Sequence, residues 1–108
     1  MGSSPHINAA TERALAAFLV DPGQELSGLD VCAAAGVRSG SMHAVLARLE
    51  GQGWLESHWE ELDAESDGRQ PRRYYRLTGV GAKLAQTALV ESRRSALRPR
   101  WRPVAGQP

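Results

Sequence analysis

With 108 residues, 42% of them hydrophobic, the chain has material for one domain with one modest core, small enough that a partner subunit would add usefully to its stability. No apolar run approaches the roughly 20 residues of a membrane span, the N-terminus lacks a signal-like apolar core, and the single Cys32 excludes an internal disulfide, so a cytoplasmic protein is expected. The net charge of +1 conceals a split, because residues 1–67 hold three arginines against eleven acids (−8) while residues 68–108 hold ten Lys/Arg against Glu91 alone (+9), so a polyanionic partner is not excluded.

Asn8 is suited to cap a helix over about residues 9–20, whose Leu15, Phe18 and Leu19 share one face, and the turn chemistry of Asp21 to Gln24 ends it. Ser27 is placed to cap a short second helix over 28–35 that buries Leu29, Cys32 and Ala33, with Gly36 as a left-handed C-cap. Cys32 there reads as plain core packing. Ser39 then caps a third helix to about Gln52, with Met42, Val45, Leu46 and Leu49 at the spacing of a buried stripe and Gly53 as its C-cap. Two short helices joined by a glycine-containing turn predict a helix-turn-helix.

After Gly53 the period becomes two. Trp54 to Glu60 alternates as a half-buried strand and Arg72 to Leu77 reads as its partner, which predicts a β-hairpin with a polar loop over 61–71. Tyr75 shares the parity of Leu77 and is expected in the core with Tyr74 exposed; by the same logic Trp59 is expected in the core and Trp54 at a rim. Thr78 caps a fourth helix to about Leu97 that carries two apolar rows, Val80, Leu84, Ala88 and Ala82, Ala85, Leu89, Ala96. One row suffices for a monomer, so two predict packing on another copy as well. The expected organisation is a flexible N-terminus (1–8), a winged helix-turn-helix domain (9–78), a C-terminal dimerisation helix (79–97) and a disordered basic tail (98–108), mainly α with a small β-hairpin.

The stretches Ser39 to Glu61 and Gly68 to Ala85 resemble the PadR-type transcriptional regulators. In that family a Ser-Gly-Thr/Ser helix start leads to an Arg-Leu-Glu-x-x-Gly segment, and the wing ends in Arg-Arg-Tyr-Tyr-x-Leu-Thr-x-x-Gly, matched here by Arg72 to Gly81. His43 stands where tyrosine is usual, and the region after the fourth helix is shorter than in members with a longer C-terminal domain. The resemblance implies a dimeric DNA-binding regulator, often released from DNA by a small aromatic ligand near the dimer interface, a role Trp54 or Trp101 would fill.

From the residues themselves, an inward Met42/Val45/Leu46/Leu49 stripe turns the small Gly40, Ala44, Ala47 and Gly51 outward, flanked by Ser41, His43 and Arg48. A smooth helix of this kind fits a major groove about 12 Å wide, with Arg38 and Ser39 at its start near phosphate. Arg69, Arg72, Arg73 and Arg76 on the wing suit phosphates or a narrow minor groove, with Tyr74 as the exposed tyrosine beside them. The expected dimer contacts are Leu15, Leu19, Leu84, Ala85, Leu89 and Ala96. His6, His43 and His58 lack metal-ligand spacing and no catalytic motif is present, so neither enzyme activity nor a cofactor is expected. The reading is a repressor that occludes a pseudo-palindromic operator in double-stranded DNA. The rival is a winged-helix protein-interaction module or a nonspecific nucleic-acid-binding accessory protein, which selection from random duplexes would separate.

Overall fold

In the computed structural model, which describes residues 7–62 and 68–97, the chain opens with α1 (Ala9–Leu19). Asn8 starts this helix as expected, its Oδ1 accepting from the Thr11 amide at 2.8 Å, and Ala14, Leu15 and Phe18 are buried along one face. Next come a two-residue strand β1 (Leu26–Ser27) and α2 (Gly28–Ala35). Ser27 and Asp30 form a reciprocal capping box, each side chain accepting from the other's amide at 3.1 and 3.0 Å, and Gly36 closes the helix at φ 67°. Helix α3 (Ser39–Gly51) buries Met42, Val45, Leu46 and Leu49. Arg38 rather than Ser39 stands at its N-cap, and no side chain caps it.

Strands β2 (Leu55–Trp59) and β3 (Arg73–Leu77) form the expected antiparallel hairpin, with Leu55 opposite Leu77, Ser57 opposite Tyr75 and Trp59 opposite Arg73. Strand β1 pairs with the other edge of β3, Leu26 opposite Tyr75 and Ser27 opposite Tyr74, giving the sheet order β1-β3-β2. Helix α4 (Gly79–Leu97) packs back on α1. The fold is therefore four helices and a three-stranded antiparallel sheet, a winged helix with one long final helix.

Two expectations are corrected. Helix α2 buries Val31 and Ala35 instead of Leu29, Cys32 and Ala33; Leu29 is 65% exposed, Ala33 is exposed and Cys32 only half-buried. A two-turn helix with apolar residues on several sides has no single stripe to read, and its cap and sheet pairing decide which side faces inward. The tryptophans also exchange roles, Trp54 being 4% exposed and Trp59 58%. Trp59 does share a sheet face with Leu55, but the strand runs outward past the core, so parity alone does not bury its far end. The tail and the acidic run at 63–67 lie outside the described residues.

The wing and α4 both start from the backbone of Trp54. Gly53, at φ 80°, turns the chain out of α3, and the Trp54 amide donates to the Leu49 carbonyl at 2.9 Å. The Trp54 carbonyl accepts from the Thr78 amide at 3.0 Å, while the Thr78 hydroxyl donates to the Gly53 carbonyl at 2.7 Å and accepts from the Gly81 amide at 2.8 Å, capping α4. Gly81 lies flat against Trp54: a Cβ there would stand 2.8 Å from the Trp54 Cα and closer still to its carbonyl. No described helix is long and apolar enough to cross a membrane. The Gly81→Ala variant should therefore lose about 2 kcal/mol or more by urea denaturation, because backbone and not a flexible side chain must yield. Gly40→Ala, which meets open space, should stay within about 0.5 kcal/mol of the parent. Equal midpoints for the two variants would contradict the close packing at Trp54.

Candidate nucleic-acid interface

The exposed face of α3 presents small residues. Ser39, Gly40, Ser41, His43, Ala44, Ala47 and Gly51 are all exposed, because the four buried residues of α3 turn this opposite side outward. Arg38 is exposed at the helix start. A Cβ at Gly40 would meet nothing within 4 Å, so this surface is open to close approach by a ligand backbone. Arg48 differs from the rest: its Nη2 donates to the buried Thr11 hydroxyl at 2.6 Å, tying the last turns of α3 to α1 instead of reaching away from the body.

The wing arginines are mostly held by carboxylates. Arg69 pairs with Glu60 at 2.9 Å, an interaction that holds the Glu60 carboxyl below the usual carboxylate range. Arg76 pairs with the cross-strand Glu56 at 2.5 Å. Arg73 lies on the inner face of the sheet, donating to Ser57 Oγ at 3.0 Å and to Glu50 at 3.4 Å, with its guanidinium carbon 5.0 Å from the centroid of the Trp59 ring. The Ser57 hydroxyl in turn donates to Glu50. Arg72 alone of the four has no carboxylate on its guanidinium among the described residues, and its backbone is pinned to Glu60 on both sides, by the Glu60 amide at 2.7 Å and the Glu60 carboxylate at 3.3 Å. Ion pairs this exposed are worth roughly 0–1 kcal/mol each, so exchanging Glu60 or Glu56 for a phosphate costs little. Arg73 is more firmly held, by three partners at once.

Tyr74 is half-buried on the outer face, its ring stacked on His58 with centroids 6.1 Å apart. His58 Nε2 lies 2.9 Å from the Glu25 carboxylate and Nδ1 3.2 Å from the Trp59 carbonyl. Both neighbours are acceptors, so the doubly protonated ring satisfies both, and its pKa is raised from the ordinary histidine value first by the Glu25 hydrogen bond and then by the Trp59 carbonyl.

The residues expected at a dimer contact divide. Leu15 and Ala85 are fully buried in the chain's own core and offer no surface, which corrects their assignment as contacts for this arrangement of the chain. Leu19 and Leu89 are half-buried, while Leu84 and Ala96 are exposed, Leu84 on a helix that also exposes Val80, Val90 and Leu97. Leu29 and Trp59, which periodicity assigned to the core, are instead exposed.

Residues 28–87 match the family model described as the transcriptional regulator PadR-like family. No curated protein matches the chain. Solved structures of the same fold include BpsR of Bordetella bronchiseptica, whose DNA binding is regulated by 6-hydroxynicotinic acid, at 18% identity and TM-score 0.66 over 94% of this chain and 73% of that one. The PcaV transcriptional regulator of Streptomyces coelicolor is 23% identical with TM-score 0.64 over 81% and 58%. MepR of Staphylococcus aureus in complex with DNA is 18% identical with TM-score 0.58 over 83% and 69%. In another structure of MepR, a regulator of the multidrug efflux pump MepA, this chain spans 61% of the length. At such identities the likeness is one of fold.

The His58 contacts set a pH dependence. A raised folded-state pKa means that the Glu25–His58 tie between the wing and the segment before β1 is fully present below the unfolded histidine pKa and is lost as pH rises through the folded value. In an NMR titration the His58 ring should change protonation above pH 6.5, and Glu25→Gln should move that midpoint down. A His58 midpoint unchanged by Glu25→Gln would remove the tie.

Proposed function

This chain belongs to the PadR-like family of transcriptional regulators, and from that membership we propose that it is a sequence-specific DNA-binding repressor acting as a homodimer in the cytoplasm. The observation that carries the reading is the juxtaposition of an open, small-residue face on α3 with a basic wing whose arginines are weakly held. The helix enters the major groove with Ser39, Gly40, Ser41, His43 and Ala44 against base edges and Arg38 near phosphate. Arg72 then reaches the backbone or the adjacent minor groove, joined by Arg69 as it exchanges Glu60 for phosphate, and Tyr74 lies at the margin. Arg48 and Arg73 serve mainly to fix the helix and the wing, because Arg48 donates to the buried Thr11 hydroxyl and Arg73 is held at once by Ser57, Glu50 and the Trp59 ring. That MepR has been solved with DNA supports the choice of ligand for this fold.

The dimer forms through α4, with α1 beside it. Val80, Leu84, Val90 and Leu97 on α4 and Val20 after α1 are exposed apolar side chains that a second copy would cover. In this division, residues 9–78 bind DNA and 79–97 pair the copies, setting two recognition helices about 34 Å apart, one turn of DNA. Occupancy of a pseudo-palindromic operator then blocks a promoter. A small aromatic effector releases the repressor, a reading supported by the regulation of BpsR by 6-hydroxynicotinic acid. Trp54 is buried in the core and is not available to such a ligand, and Trp101 lies outside the described residues. No chemistry is assigned to the fold, in keeping with a regulator family.

Selection from random DNA duplexes should enrich one pseudo-palindromic sequence, bound with an affinity that falls steeply as salt rises. Arg72→Ala should weaken binding to all sequences alike and flatten the log–log salt slope by about one unit. If no sequence is enriched, specific regulation is wrong and the protein-interaction reading takes its place.

A further inference from the structure

An open groove of about 330 Å³ separates α3 from the inner face of the wing, with the start of α2 along one side. Its apolar walls include Leu29 from α2, Met42 from α3 and Trp59 from β2. Met42 is fully buried and forms the floor, whereas Leu29 and Trp59, 65% and 58% exposed, hold large apolar surfaces against water on opposite sides. His43, Arg72 and Arg73 also line it, and among the described residues no carboxylate does. Apolar walls beside a cationic rim without acids are complementary to an occupant with apolar flanks and anionic groups along its length. The groove is also continuous with the surface assigned to DNA, since His43 on α3 and Arg72 on the wing belong to both.

We propose that this groove cradles one sugar-phosphate strand of DNA, with a deoxyribose packed between Leu29 and Trp59 and an adjoining phosphate on Arg72, and that its apolar walls select deoxyribose over ribose. The inference rests on the DNA-binding reading above and adds to it two residues that carry no charge. When α3 lies in the major groove and the wing reaches the adjacent minor groove, the one strand that divides those grooves must pass between helix and wing. The carbon-bound hydrogens of its sugars cover Leu29 and Trp59, a contribution that does not depend on salt. Trp59 stands on the wing side and so meets the minor-groove edge of the sugar, the edge on which ribose displays its 2′-hydroxyl. Neither the indole face nor the leucine offers that hydroxyl a hydrogen-bond acceptor, and burying it unpaired is unfavourable. The contact touches no base, so it distinguishes the kind of nucleic acid while leaving sequence to α3.

The test uses the full chain, the operator obtained by selection and a random duplex of equal length. Leu29→Gln, at an exposed position that does not threaten folding, should weaken binding to both duplexes about fivefold and leave the log–log salt slope unchanged, because no charge is removed. A single ribonucleotide moved stepwise along the operator should weaken binding about fivefold at the cradled sugar of each half-site and leave the other positions of that strand within about twofold. Trp59→Gln, also at an exposed position, should abolish that local penalty, since the amide can accept from the hydroxyl. Saturating operator should slow alkylation by iodoacetamide of Cys32, the only thiol of the chain, which lines the same groove. Operator binding with no ribose-sensitive position, a penalty that persists undiminished in Trp59→Gln, or Cys32 alkylation unchanged at saturation overturns the cradle and leaves the DNA reading standing. Absence of binding to any duplex defeats the DNA reading, and the cradle with it.

Discussion

The third helix, the wing and the final helix are oriented from the backbone of one residue, Trp54. Its amide closes the end of α3, and its carbonyl receives the amide that starts α4. Gly81 brings the first turn of α4 so near that even a methyl group has no room. Helix α3, the wing and the final helix thus leave a single point in directions set by hydrogen bonds and contact. The Trp54 side chain, 4% exposed, anchors this junction in the core. This rigidity matters along the length of α4, because a small angular error at the junction becomes a large displacement at the far end of that 19-residue helix.

The division of charge along the sequence acquires a structural meaning. The acidic first part supplies Glu50, Glu56 and Glu60, and the basic second part supplies Arg73, Arg76 and Arg69 to meet them across the wing. The hairpin register performs the matching, since Glu56 stands opposite Arg76 and Trp59 opposite Arg73. Much of the apparent basic character is thereby neutralised at rest. The exposed pairs are weak enough to be traded for phosphate, whereas Arg73, clasped by a carboxylate, a hydroxyl and an indole, acts as part of the wing's framework.

Most helix caps were readable because their signals are local: Asn8, Ser27, Gly36 and Thr78 each act within four residues, whereas Ser39 makes no cap and the return contact of Asp30 to Ser27 was not read. The α3 stripe and its small outward face followed from one period over thirteen residues. The resemblance carried by the wing motif supplied the topology. What stayed hidden was nonlocal. Strand β1 has two residues and depends on a partner almost fifty positions later, so it leaves no periodic trace. The inward side of α2 and the exchange of Trp54 with Trp59 depend on where the core ends, which alternation does not encode. The exposure of Leu29 and Trp59 was missed for the same reason, because each looks like a core residue until the elements are assembled.

Strand β1 also acts as a proofreading device. Ser27 has two tasks, pairing with Tyr74 of β3 and capping α2 with its hydroxyl. In a sheet, a slip of one residue turns every side chain to the opposite face. A β1 mispaired by one position would therefore aim the Ser27 hydroxyl away from the amide it must receive, and the cap of α2 would fail along with the sheet. Correct strand register and a well-capped α2 are thus coupled, and a one-residue slip would forfeit the cap, about 1 kcal/mol, along with the pairing.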